Sequence, residues 1–212
     1  MPVLNSNETL TVRGALDVSS GTLTLKDGQI AKSKLAQQNN DLIAIPLTDL
    51  RVHDAVSSLL PATASADDLG LVSGTYGTDG PLLKTSDAKA TTVTQYARVL
   101  VPVDDLWVTG ETYQVRIIAG MDTTVSDGTA TVDLEAYVPD GDGAVGSDIC
   151  STAAQSINSL TTANFDFTIT TTSLTDGDIL DLRITVAITD SATATAVYGQ
   201  IYGIQIMRDT KG

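Results

Sequence analysis

The chain has one cysteine, Cys150, and one histidine, His53, in 212 residues. No intrachain disulfide is therefore possible, and no Cys/His zinc site can be assembled within one chain. Aromatic residues make up only 4% while hydrophobic residues reach 42%, so a core must be built from Val, Ile, Leu and Ala. Basic residues are scarce, 12 Lys and Arg against 26 Asp and Glu, for a net charge of −14. That excess argues against nucleic acid as a partner, because phosphate binding needs clustered Lys and Arg. No apolar run approaches the roughly 18 residues of a membrane span. The opening "MPVLNSNE" has neither a basic nor an apolar stretch of the kind that marks a secretory signal, which points to synthesis and folding in a cytoplasm.

What is present is strand after strand. "TYQVRIIAGM" alternates Val115, Ile117 and Ala119 against Gln114 and Arg116. "TATVDLEAYV" sets Val132, Leu134, Ala136 and Val138 opposite Asp133 and Glu135. "NFDFTITTT" places Phe165, Phe167 and Ile169 on one face, and "ILDLRITVAITD" does the same with Leu180, Leu182, Ile184, Val186 and Ile188. Such strict alternation marks half-buried strands. The final segment, "ATAVYGQIYGIQIMRD", is apolar on both faces and reads as a central strand. Seven or eight strands between residues 69 and 208, with Gly and Asp in their connections, predict an all-β fold. An antiparallel β-sandwich with jelly-roll topology follows.

The first 40 residues differ. "TLTVRGALDVSSGTLTLKDGQIAKSKLAQ" holds apolar pairs Leu10/Val12, Leu16/Val18 and Leu23/Leu25, then Ile30, separated by turn formers. Arg13, Lys26, Lys32 and Lys34 stand against Glu8, Asp17 and Asp27, so this arm is near neutral, while the rest holds 8 basic and 23 acidic residues. Short strands that cannot bury a face alone stack on copies of themselves. Leu10, Val12, Leu16, Val18, Leu23, Leu25 and Ile30 are thus the candidate interface of a trimer, with the arm folding back on the sandwich as extra hairpins the alternative. The organisation predicted is a β-arm over 1–40, a connecting strand and loop over 41–68, and the sandwich over 69–212. In the connection Ile43, Ile45 and Leu47 alternate, and Pro46 restricts the strand to an edge.

Catalytic signatures are scarce. His53 adjoins Asp54, but no Gly-x-Ser-x-Gly elbow occurs, and Cys150 reads as a small strand residue. In "PDGDGAVGSD" the residues Asp140, Asp142 and Asp148 form the one candidate calcium loop. Its pattern breaks after Asp142 and no bidentate Glu follows, so a solvated turn is the expectation. The chain is expected to be no enzyme and to need no cofactor or metal.

The strings "LGLVSGTYGTDGPLL", "YARVLVPV", "TYQVRIIAGMDTTVSDGTATVDLEAYV", "STAAQSINSLTTANFDFTIT" and "GDILDLRITVAITDSATATAVYGQI" cover much of residues 69–210. Their pattern resembles β-sandwich proteins encoded by tailed bacteriophages and prophage-like regions. With the repetitive arm, the chain is similar to capsid decoration, or cement, proteins. The resemblance implies a homotrimer on the outer capsid that clamps neighbouring capsomers, with the major capsid protein as partner and the virion as location. A trimeric tail-fibre or receptor-binding protein, with glycan binding, is the alternative; a carbohydrate-binding module is a third. Copy number per virion separates decoration from a fibre.

Overall fold

The computed structural model describes residues 40–139, 145–191 and 195–210. All of them belong to one unit spanning residues 38–212. The arm residues Leu10, Val12, Leu16, Val18, Leu23, Leu25 and Ile30 lie outside the described residues, as do Asp140 and Asp142.

The described residues form ten strands: β1 (Asn40–Ile45), β2 (Gly70–Val72), β3 (Leu82–Lys84), β4 (Thr92–Pro102), β5 (Tyr113–Met121), β6 (Gly128–Tyr137), β7 (Gln155–Ser156), β8 (Ala163–Thr168), β9 (Ile179–Asp190) and β10 (Gly199–Asp209). One sheet runs β2-β3-β10-β5-β8, with β1 also on β10; the other runs β4-β9-β6-β7. From β4 to β10 every connection but β6–β7 passes to the opposite sheet. Every pairing is antiparallel. The result is the antiparallel β-sandwich of jelly-roll type that the alternation predicted.

The alternation also fixes which faces meet. Val115, Ile117 and Ala119 of β5, Val132, Leu134 and Ala136 of β6, and Leu180 to Ile188 at every second position of β9 are buried between the sheets. β10 is the central strand, as its two apolar faces require. β5 lies along one edge, and β3 and β1 share the other, β3 at Gln200–Ile201 and β1 at Ile204–Asp209. A bulge at Tyr202 separates those two halves and leaves that tyrosine unpaired with β5.

The stretch 41–68 does more than connect. β1 is part of the six-stranded sheet, and Leu50 and Leu60 enter the core. Pro46 stops β1 at an edge and caps a short 3-10 turn, Leu47–Asp49. Gln95, fully buried on the core face of β4, accepts from the Ser86 amide at 2.7 Å and donates to the Ala66 carbonyl at 3.0 Å, so it ties two loops to the strand. Gly128 opens β6 where a Cβ would lie 1.8 Å from the Thr189 carbonyl oxygen, so no side chain fits there.

Two ion pairs tie strands and loops, Arg116–Asp166 at the surface and Arg208–Asp104 around a buried arginine. Arg116 of β5 grips Asp166 of β8 through Nε–Oδ1 at 2.7 Å and Nη2–Oδ2 at 2.8 Å, which holds the Asp166 carboxyl below the usual range against the opposing effect of burial. Burial pushes Asp104 up, but the Arg208 hydrogen bond and charge and the Leu106 and Trp107 amides outweigh it and hold it low. A carboxylate lowered in the folded state adds stability above its unfolded value, and that stability is lost as pH falls through the folded value. The melting temperature should therefore be flat above about pH 5 and fall once the pH drops below about 4. In calorimetry from pH 6 to 2, Asp166→Asn should lower stability at neutral pH and show a shallower acid fall; an unchanged acid slope would remove the pair from the account.

Candidate functional site

The outer face of the four-stranded sheet gathers the polar groups. Register sets three cross-strand rows on β4, β9 and β6: Tyr96–Thr185–Asp133, Arg98–Arg183–Glu135 and Leu100–Asp181–Tyr137. Two arginines thus face each other directly, an arrangement that is unfavourable unless each finds a counter-charge. Each does. Arg98 forks onto Asp181, with Nε 2.6 Å from Oδ1 and Nη2 on Oδ2, and Arg183 pairs with Glu135 across the strand. The Asp181 hydrogen bond raises the Arg98 pKa against the cost of burial.

Two loops complete the site by lining the free edge of β4. The Arg51 amide donates to the Arg98 carbonyl at 2.8 Å, and the Arg98 amide returns the bond at 3.0 Å. The Tyr96 amide donates to the Asp67 carbonyl at 2.8 Å, and Leu69 donates back to Tyr96 at 2.9 Å. These bonds bring His53 next to Asp67 and Asp68. Nδ1 lies 3.4 Å from Asp68 Oδ1, and Nε2 3.5 Å from Asp67 Oδ2. The ring also packs against Tyr96 at 4.5 Å between centroids, while the Arg183 guanidinium sits 5.0 Å from the Tyr96 ring centre. Tyr96 is thus a positioning residue that holds His53 and Arg183 in place.

His53, Asp67 and Asp68 are the described residues that could hold a metal ion, with ligand atoms within 4.8 Å of one another. The two carboxylates face different ring nitrogens, Asp68 at Nδ1 and Asp67 at Nε2.

His53, Arg98, Tyr137, Val145, Asp181 and Arg183 surround a hollow of about 220 Å³. Burial, then the charges of Glu135 and Asp148, raise the Tyr137 pKa, with Arg183 opposing, so the phenol keeps its proton as a neutral donor. The hollow therefore offers donors and acceptors side by side at little net charge, next to an aromatic ring.

Other residues singled out in the sequence lie elsewhere. Asp148 Oδ1 accepts from the Ala136 and Cys150 amides at 2.9 Å each, a clamp on the end of β6. Cys150 is half-buried, and burial pushes its thiol up to about 11, which keeps it protonated near neutral pH. Asp54 makes no described contact with His53; Asp67 and Asp68 take that place. The site residues Tyr96, Arg98, Tyr137, Asp181 and Arg183 were missed as a group. Their signal was two-residue spacing on three strands: Tyr-x-Arg, Asp-x-Arg and Glu-x-Tyr.

No protein-family model matches the chain, and no curated protein matches it. Among solved structures it is similar to the CBM22-1 xylan-binding domain of Xyn10C from Paenibacillus barcinonensis, at 14% identity over 84% of this chain and 99% of that one, with a TM-score of 0.44. It is also similar to the xylan-binding module CBM15, at 12% identity over 82% and 99%, with a TM-score of 0.44. A structure of infectious bursal disease virus strain Gx shares 13% identity over 68% of this chain and 36% of that chain, with a TM-score of 0.31. At such values the likeness is one of general form, and the site rests on its own geometry.

Proposed function

We propose that the protein is a non-catalytic virion surface protein whose sandwich binds a neutral, hydroxyl-rich ligand, a glycan, on the outer face of the four-stranded sheet. The observation that carries this is the hollow where the Arg98–Asp181 fork, Arg183 and His53 meet Tyr137. Adjacent donors and acceptors match the paired hydroxyls of a sugar, and an aromatic ring beside them offers a face for its C–H groups. An anionic ligand suits the site less, because Arg98 and Arg183 already have carboxylate partners and the chain carries a net charge of −14. At about 220 Å³ the hollow is below the roughly 300–1,000 Å³ of drug-sized pockets. It suits one ring of a longer chain lying across an open face.

The virion setting is supported by the resemblance of residues 69–210 to phage β-sandwich proteins. A second reading, a homotrimeric decoration protein bound to the major capsid protein, is favoured by one observation. Ile43, Val56 and Leu100 are exposed apolar residues that line one groove.

A glycan array carrying neutral and sialylated oligosaccharides tests the first reading. Binding confined to neutral glycans is expected, with Tyr137→Ala weakening it at least about tenfold, or about 1.4 kcal/mol. No bound glycan, or the same profile for Tyr137→Ala, would overturn it and leave the decoration reading.

A further inference from the structure

The two loops along the free edge of β4 hold His53, Asp67 and Asp68 on fixed backbone. Arg51 exchanges a pair of bonds with Arg98, while Asp67 and Leu69 bond Tyr96. The second loop turns at Ser65–Asp68, closed by the Asp68 amide on the Ser65 carbonyl at 2.9 Å and the Ser65 amide on the Asp68 carbonyl at 3.2 Å. Ala66 takes a left-handed φ of 49° in that turn, and the buried Gln95 donates to its carbonyl. The turn is thus set before any ligand arrives.

Its two carboxylates are short of counter-charge. Among the described residues Asp67 and Asp68 pair with no Lys or Arg, and His53 is the partner of both. The guanidiniums nearby are committed elsewhere. Arg98 forks onto Asp181, Arg183 pairs with Glu135, and Arg51 donates to the Thr48 and Leu50 carbonyls at 2.8 and 3.1 Å. Asp54 adds one more acid next to His53 in the chain. The His53 and Asp68 side chains are only 14% and 15% exposed, which limits screening by water, while Asp67 at 53% leaves a way in from solvent.

We propose that His53 and Asp67 bind one divalent ion of the zinc class, with Asp68 as the carboxylate that orients the imidazole. With its proton on Nδ1, the ring donates to Asp68 Oδ1 at 3.4 Å and turns the Nε2 lone pair toward Asp67 Oδ2, 3.5 Å away. Bonds of about 2.0–2.2 Å to imidazole nitrogen and carboxylate oxygen place tetrahedral ligands about 3.4 Å apart. Nε2 and Oδ2 already have that spacing. A metal-bound imidazole generally gives its other N–H to a carboxylate or carbonyl, which fixes the ring and raises its basicity. A nitrogen ligand selects zinc, nickel or cobalt over calcium and magnesium, which take oxygen. The remaining positions go to water or to a ligand hydroxyl. Asp67 and Asp68 do not line the hollow beside Tyr137, and the proposal does not depend on the glycan reading.

The test uses the full chain with Cys150→Ser as background, which removes the one thiol. Calorimetric titration with zinc chloride should show one ion per chain, undisturbed by equal magnesium or calcium. His53→Asn should abolish that binding, and Asp68→Ala should weaken it about ten- to a hundredfold. A second measurement needs no change at the site and stands apart from folding losses. Because His53 is the one histidine, the imidazole nitrogen NMR spectrum at about pH 8 holds a single ring. Zinc should move Nε2 and leave Nδ1 protonated. In Asp68→Ala the zinc-free ring should lose its preference for a proton on Nδ1, which loss of packing alone would not produce. An adventitious ion only, bound as well by His53→Asn, would overturn the proposal. So would a zinc shift at Nδ1, no shift at either nitrogen, or binding indifferent to Asp68→Ala.

Discussion

Trp107→Ala is expected to lower the unfolding free energy by about 3–5 kcal/mol, the usual cost of emptying a large buried aromatic site. Trp107 is fully buried in the loop between β4 and β5 and packs edge-on against Tyr113, 5.6 Å between ring centres. That loop lies against the end of β10, where the Val108 amide donates to the Asp209 carbonyl at 2.9 Å. Burial pushes the Tyr113 phenol up to about 12, as a water-poor setting requires. The indole N–H has no acceptor among the described residues. Trp107→Phe should therefore cost far less than Trp107→Ala, since it removes an unsatisfied donor while keeping most of the ring contact. Urea denaturation of both variants at neutral pH measures the difference. Equal losses would mean that the indole nitrogen matters more than the ring.

Arg98→Leu is expected to cost about 2–3 kcal/mol and to remove ligand binding together. The Asp181 side chain is almost fully buried and loses both bonds of its fork. Removing one partner of a buried pair leaves an uncompensated charge, and the cost reaches roughly 3–5 kcal/mol when both are enclosed. Arg98 is about one-third exposed, which places the expectation lower. The Arg98–His53 carbonyl bond at 3.2 Å goes as well, loosening the loop that carries His53. The double variant Arg98→Leu/Asp181→Leu should regain most of the stability and none of the binding. That split distinguishes a pair kept for recognition from one kept only for folding. Thermal melts with a glycan-binding assay on the same samples provide it, and a double variant that still binds would contradict the role given to the pair.

The strands of the sandwich were legible wherever alternation ran long. Leu180 to Ile188 in β9 and Val115 to Ala119 in β5 announce their faces, because one side meets a core and the other does not. β2, β3 and β7 were not legible, being only two or three residues long and held by β10 and β6 rather than by local preference. β1 was legible as a strand that Pro46 restricts to an edge, and what the sequence did not show is its partner, β10. The site was legible only in pieces. Asp133, Glu135, Asp181 and Arg183 could be assigned to outward positions, but the apposition of Arg98 and Arg183 depends on register between strands some 85 residues apart. His53 meets Asp67 and Asp68 only through loops that hydrogen-bond along the β4 edge, and no local pattern encodes such a contact.

The central claim is a sugar site on the four-stranded sheet, and amide chemical-shift mapping tests it most directly. A uniformly labelled sample would be titrated with a neutral oligosaccharide that the array identifies. Saturable shifts centred on Tyr96–Arg98, Glu135–Tyr137 and Asp181–Thr185, lost in Tyr137→Ala, are the predicted result. Shifts centred on Arg116 and Asp166 of the other sheet, or none up to millimolar sugar, would contradict it.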